Sequence, residues 1–173
     1  VLKKNPIQEV NVGPSESMSK SKKNTIDPEK IIEMYGADSA RLFILSDSPP
    51  EKDVQWSDEG ITSSYKFIQK LWSLNDRIIK EIEHDHPEDE SEEIIKFTNK
   101  FLKKMTDSLN SFSYNILVAN LHEMQNFFSK ELSKKYSKKT LIENFSKILI
   151  TMIPLIPHFA NECLEKINCD VLK

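Results

Sequence analysis

Glycine is scarce in this chain, with three residues among 173. Apolar residues recur at three- and four-residue spacing, and together the two features argue for a mainly α protein. Arginine is scarcer still. Only Arg41 and Arg77 stand among 24 basic residues, a skew that reads as codon bias rather than function. The formal net charge is −3, so there is no global electrostatic pull towards nucleic acid. Cys163 and Cys169 have neither Cys-x-x-Cys spacing nor a histidine at ligand distance. They are expected to be buried free thiols of a reducing cytoplasm, not a disulfide framework or a metal site. No apolar run approaches the ~18 residues of a transmembrane helix, so no membrane partner is expected. Val1 is not followed by a signal-peptide pattern, and no internal repeat is visible.

What is present is a series of amphipathic helices. A short apolar alternation from Ile7 to Val12 is the one good candidate for a strand or hairpin arm. Asp27 can cap a helix that starts at Pro28 and stops at Gly36, with Ile31, Ile32, Met34 and Tyr35 as its apolar side. Asp38 is expected to cap a shorter helix over 39–45. Pro49 and Pro50 then enforce a crossing loop. From Ser57, a long helix carries Ile61, Tyr65, Ile68, Leu71, Trp72, Ile78, Ile79 and Ile82. An acidic linker over 81–93 is expected to be solvated and mobile. Three further helices are marked by Ile94 to Leu109, Tyr114 to Leu132 and Leu141 to Met152. Pro154 and Pro157 precede a last helix over 158–167. Short connections between long amphipathic helices predict an antiparallel bundle.

Chemistry concentrates in one short loop, Ser17-Met18-Ser19-Lys20-Ser21-Lys22-Lys23-Asn24, directly before the Asp27–Pro28 helix start. It gathers ammonium groups and hydroxyl donors around one apolar residue. Stabilising a phosphoryl centre requires positioned donors and charge of this kind. The segment resembles the second signature loop of the class I aminoacyl-tRNA synthetases, Lys-Met-Ser-Lys-Ser. The resemblance continues through Ile26-Asp27-Pro28, Tyr35-Gly36-Ala37-Asp38 and Arg41-Leu42-Phe43. The stretch from Ser48-Pro49-Pro50 through Val54-Gln55-Trp56 to Gly60 resembles the leucine branch of that family, of bacterial type. Ser17 departs from the pattern by standing where the family has its first lysine. The other family signature, His-Ile-Gly-His, is not in the chain.

The resemblance implies that residues 1–56 are the end of a catalytic domain carrying the signature loop, a short strand or hairpin and small stem-contact-like helices. Residues 57–173 would be a helical domain of the anticodon-binding type. It implies a leucine–tRNA ligase reaction, in which ATP activates leucine before its transfer to tRNA(Leu), in a cytoplasmic monomer. Met18, Ser19, Lys20 and Ser21 would bind ATP, with Mg2+ accompanying it in the full-length enzyme, and Lys20 would be the catalytic group. Met18 is expected to anchor the loop in an apolar notch, and Lys22 and Lys23 to compensate for Ser17. Lys66, Lys70 and Arg77, with Lys80, lie mostly opposite the apolar side of the long helix and form a candidate tRNA-binding stripe. Such contacts position nucleic acid without reading its sequence. Lys130, Lys134, Lys135, Lys138 and Lys139, opposed by Glu131 alone, form a weaker candidate. His158 is expected to be a packed or capping imidazole, and no metal-ligand spacing appears anywhere. On this reading the chain alone is inactive. Two alternatives stay open: a non-catalytic tRNA-binding helical module, and a sister ligase for isoleucine, valine or methionine.

Overall fold

Short polar residues set the helix starts. The Asp27 carboxylate accepts from the Glu29 amide, with Pro28 at the first helical position, and Gly36 closes the same helix at φ 80° by donating to the Ile32 carbonyl. Ser57 accepts from the Gly60 amide and Ser137 from the Thr140 amide at the starts of two others. The computed structural model describes residues 13–47, 49, 51–84, 86 and 92–171. They form α1 (Pro28–Tyr35), α2 (Ala37–Asp47), α3 (Asp58–Glu83), α4 (Glu92–Asn110), α5 (Tyr114–Glu131), α6 (Lys138–Met152) and α7 (Pro157–Val171). The expected strand over 7–12 lies outside the described residues, as do six of the thirteen residues of the acidic linker, while Glu81 to Glu83 end α3 and Glu92 and Glu93 open α4.

The helices share one apolar core. Leu42 from α2 joins Leu71 and Ile78 from α3, Met105 from α4, Leu121 and Phe128 from α5, Phe145 and Ile148 from α6, and Phe159 from α7. α4 packs on α5 and α6, α6 on α7, and α2 on α3, α5 and α7. α4 and α5 run antiparallel: Phe97 stacks on Phe127 while Lys104, further along α4, meets Glu123, earlier on α5. Their turn places Phe112 at φ 53°, in the left-handed region, with the Ser113 amide donating back to the Ser108 carbonyl. Glycine normally takes that position, because any Cβ there is strained. Gly60 answers a different constraint. A Cβ at that position would lie 2.5 Å from a ring carbon of Phe43, whose ring packs edge-on against Trp56.

Three expectations need correction. Asp38 does not cap its own helix: α2 begins at Ala37, and Asp38 sits in its first turn. Its buried carboxylate accepts instead from the Phe159 amide at 2.7 Å and the His158 amide at 3.4 Å, the first free N–H groups of α7. His158 accordingly neither packs nor caps. Its exposed ring places Nδ1 2.9 Å from the same carboxylate. The apolar side expected for α1 is not buried: no α1 residue is, and Ile32 and Met34 are 49% and 59% exposed.

One turn beyond Asp38, Arg41 donates to the carbonyls of Leu155 at 3.0 Å and Pro154 at 2.7 Å. The proline-broken α6–α7 connection is thereby satisfied from α2. Cys163 is wholly buried, and that burial pushes its thiol up to about 12. It is an inert core residue. Asp38→Ala should remove the cap of α7 and lower unfolding stability by about 1–2 kcal/mol. Urea denaturation followed by far-UV circular dichroism measures this, and Asp38→Asn, which keeps one acceptor, should lose less.

Candidate functional site

The signature loop is closed by a residue to which the sequence reading gave no role. Asn24 Oδ1 accepts from the Ser19 amide at 2.8 Å, and its Nδ2 donates to the Ser17 carbonyl at 3.4 Å. Inside this clasp, Ser19 Oγ lies 3.2 Å from Ser21 Oγ and accepts from the Lys22 amide at 3.3 Å. The Lys23 amide donates to the Lys20 carbonyl, and Lys23 adopts φ 53°. The result is a tight turn with Lys20 and Lys23 exposed on it. Lys20 has no ion-pair partner among the described residues, whereas Lys22 pairs with Glu16 at 2.9 Å. That exposed pair is weak, so Lys22 can exchange Glu16 for another anion. Met18 departs from expectation. It is 47% exposed and occupies no notch among the described residues.

The α3 stripe is only partly free. Lys66, Lys70 and Lys80 are exposed. Arg77 donates through Nη2 to the Ser129 carbonyl at 3.3 Å, tying α3 to the end of α5. A neighbour that the sequence did not flag lies beside the stripe. The His122 ring stacks on Phe67 with centroids 3.7 Å apart. Although it is exposed overall, partial burial and then the nearby Lys70 charge hold its pKa below the usual imidazole value. A cavity of about 320 Å³ opens there, lined by Ser46, Ser63, Ser64 and His122 among others.

The second lysine cluster is opposed by more than Glu131. Lys134 pairs with Glu131 at 3.0 Å and Lys139 with Glu143 at 3.9 Å, while the Tyr136 hydroxyl also donates to Glu131. Burial pushes the Glu131 carboxyl up, but the Tyr136 and Lys134 contacts outweigh it and hold its pKa below the usual range. Lys134 and Lys139 are thus each engaged by a carboxylate. Among the described residues no group of three or more His, Cys, Asp or Glu could hold a metal ion, and no helix is long and apolar enough to cross a membrane.

Comparison with known proteins finds two separate matches. Residues 11–57 match the class I tRNA synthetases (I, L, M and V). Residues 91–171 match the anticodon-binding domain of tRNA ligase. The leucine–tRNA ligase of Wolbachia pipientis (strain wPip) is 39% identical over 166 residues, which are 92% of this chain and 20% of that protein. The leucine–tRNA ligase of Fusobacterium nucleatum is 34% identical over 165 residues, 88% of this chain and 19% of that protein. The chain thus spans about a fifth of the length of the curated relatives it matches. In fold it is similar to a crystal structure of the Agrobacterium radiobacter K84 agnB2 LeuRS–tRNA–LeuAMS complex. The TM-score is 0.77 at 20% identity, over 88% of this chain and 21% of that one.

His122 offers a spectroscopic check of the stripe. A base whose folded-state pKa is depressed resists protonation. The unfolded state therefore takes up the proton first as pH falls below its own value near 6.5, and the fold loses stability there. Lys70→Glu should raise the His122 pKa and shrink that acid loss, because it replaces a repelling charge with an attracting one. NMR titration of the His122 ring protons checks the shift. An unchanged value would mean that burial alone sets it.

Proposed function

We propose, from a chain that belongs to the class I tRNA synthetases over residues 11–57 and to their anticodon-binding domain over residues 91–171, that it acts as the segment of a leucine-specific tRNA ligase presenting Lys20 to ATP and a basic helix to tRNA. The observation that carries this reading is the loop closed by Asn24, which sets Lys20 on an exposed turn with no competing carboxylate among the described residues. Leucine specificity is supported by the Ser48 to Gly60 stretch and by relatives named leucine–tRNA ligase. A tRNA partner is supported by the composition of the Agrobacterium complex. The division into a catalytic-domain end over 1–56 and an anticodon-binding-type domain over 57–173 belongs to the same reading, as does a monomeric, cytoplasmic enzyme.

In the activation step, a leucine carboxylate oxygen attacks the α-phosphorus of ATP. A P–O bond to leucine forms, the bond to the β-phosphate bridge breaks, and pyrophosphate leaves with the electron pair. Negative charge grows on the transferring and leaving oxygens, and the Lys20 ammonium neutralises it. Ser19 and Ser21 hold the turn through their mutual hydrogen bond and can add hydroxyl donors to the phosphates, while Met18 packs against nucleotide or protein on the far side. Mg2+ accompanying the triphosphate would add charge neutralisation to that of Lys20, with no described residue of this chain holding it. Lys66 and Lys70 contact tRNA phosphates. Arg77, already engaged with Ser129, contributes second.

Two tests separate the halves of this reading. In the full-length ligase, Lys20→Ala should lower kcat for leucine-dependent pyrophosphate exchange by about 100- to 1000-fold with leucine KM nearly unchanged, because the contact strengthens as charge develops. Ser17→Ala should be mild, and the isolated chain should give background exchange. Equal losses at positions 17 and 20 would overturn the role given to Lys20. In the second test, Lys66→Glu with Lys70→Glu should weaken tRNA binding and shallow its dependence on log salt by at most about two units, leaving tRNA-free leucine activation intact. An unchanged affinity and slope would make the stripe an ordinary solvated face.

A further inference from the structure

The hollow beside the α3 lysines has a lining that phosphate contacts alone do not use. Its volume of about 320 Å³ sits at the lower end of the roughly 300–1,000 Å³ of small-ligand sites. α2, α3 and α5 wall it, with Phe43, Phe67 and Val118 on the apolar side and Asp47, Ser64 and His122 on the polar side. Ser64 is only 8% exposed, yet its hydroxyl makes no hydrogen bond among the described residues. Ser46 and Ser63, which also line the hollow, instead donate to the Phe43 and Glu59 carbonyls of their own helices. A buried hydroxyl without a partner is costly, and a polar atom entering the hollow would relieve it.

His122 supplies a stacking surface. Phe67 covers one face of its ring with centroids 3.7 Å apart, and the residue is otherwise exposed. Neither ring nitrogen is hydrogen-bonded among the described residues. Partial burial and then the Lys70 charge lower its pKa, so at neutral pH one nitrogen donates and the other accepts. Ser63, Lys66, Phe67 and Lys70 follow three- and four-residue spacing, which sets both lysines along the strip of α3 that lines the hollow. The exposed Asp47 carboxylate repels phosphate and leaves the lysine side as the place for a nucleic-acid backbone. A basic lip beside a partly apolar hollow with a stackable ring suits a nucleotide. A base paired within an A-form helix cannot leave its stack to enter, so the occupant is unpaired.

We infer that the hollow takes one unpaired nucleobase of the bound tRNA, stacked on His122 and hydrogen-bonded by Ser64, while Lys66 and Lys70 hold the phosphates beside it. The inference rests on the tRNA reading proposed above and adds a contact that is not ionic. Phosphate contacts carry no sequence information, whereas a base contact singles out one nucleotide.

The test measures binding of tRNA(Leu) transcripts to the full-length ligase across a salt series. His122→Ala, at an exposed position, should weaken binding about tenfold without changing the log-salt slope, because a stacking contact releases no counterions. His122→Phe, which keeps a stacking ring, should lose little. An abasic nucleotide is then placed in turn at each unpaired position of the transcript. At one position it should cost about as much as His122→Ala, and the two together should cost no more than either alone. Unchanged affinity in His122→Ala, a slope altered by it, or no coupled position overturns the inference. So does binding of AMP, read from the His122 ring NMR signals, as tight as that of tRNA, which would mean a site for a free nucleotide. If Lys66→Glu with Lys70→Glu leaves affinity and slope unchanged, the tRNA reading fails and this inference with it. If that pair behaves as expected while His122→Ala is silent, this inference alone fails.

Discussion

Two side chains one turn apart on α2 hold together the parts on which everything else depends. Asp38 supplies acceptors for the first free amides of α7, and Arg41 supplies donors for the carbonyls of Pro154 and Leu155. The α6–α7 connection cannot meet these requirements itself, because its prolines lack N–H groups and prevent continuous helix. Asp38 and Phe159 are buried, and a buried polar group left without its partner would cost roughly 1–3 kcal/mol. The contacts span 113 to 121 residues of sequence. They join the N-terminal helices and the bundle into one packed body, with Leu42 of α2 inside the shared core.

This joining explains which features were readable in the linear sequence. Local chemistry was legible: Asp27-Pro28 with Gly36 bounds α1, Ser57 opens α3, and the periodic apolar residues of α3 to α6 are largely the observed core. Interactions with distant partners were not. Asp38 is a plausible local cap by position, and nothing nearby in sequence reveals that its true partners are His158 and Phe159. Arg77 looks like a free phosphate contact until Ser129 is brought beside it. His122 carries no distinctive spacing, and its altered proton affinity exists only because Phe67 and Lys70 come from another helix. The exposure of α1 misled for a different reason. Amphipathic spacing predicts that a face will be buried, but not against what.

The signature loop shows the same division at smaller scale. Its residue types were visible at once, but what makes it a defined turn is the Asn24 amide reaching back to Ser17 and Ser19. A flexible lysine loses its advantage if its ordering must be achieved in the transition state, so a turn ordered beforehand helps Lys20 act electrostatically. The departure at Ser17 fits this geometry. Position 17 contributes its backbone carbonyl to the clasp, a contact that any side chain permits. Lys22, one exchangeable ion pair away from freedom, can bring a second charge to the same region.

α3 then divides its surface between two kinds of neighbour. Tyr65 packs against Tyr35 and Trp72 against Phe159, whereas Lys66, Lys70 and Lys80 are exposed to solvent. A net charge of −3 hides this sorting, because total charge says nothing about where the lysines stand. A helix of 26 residues is long enough to present both surfaces along one rigid axis. The end of α3 that meets α1 is therefore held at a fixed distance from the lysines. α2 ties that axis, through Asp38 and Arg41, to the far end of the chain. A shift of α3 relative to α1 would break the Tyr35–Tyr65 contact, and a shift of α3 relative to α2 would disturb the shared core around Leu42, so the relative placement of loop and stripe depends on packing as well as on either surface.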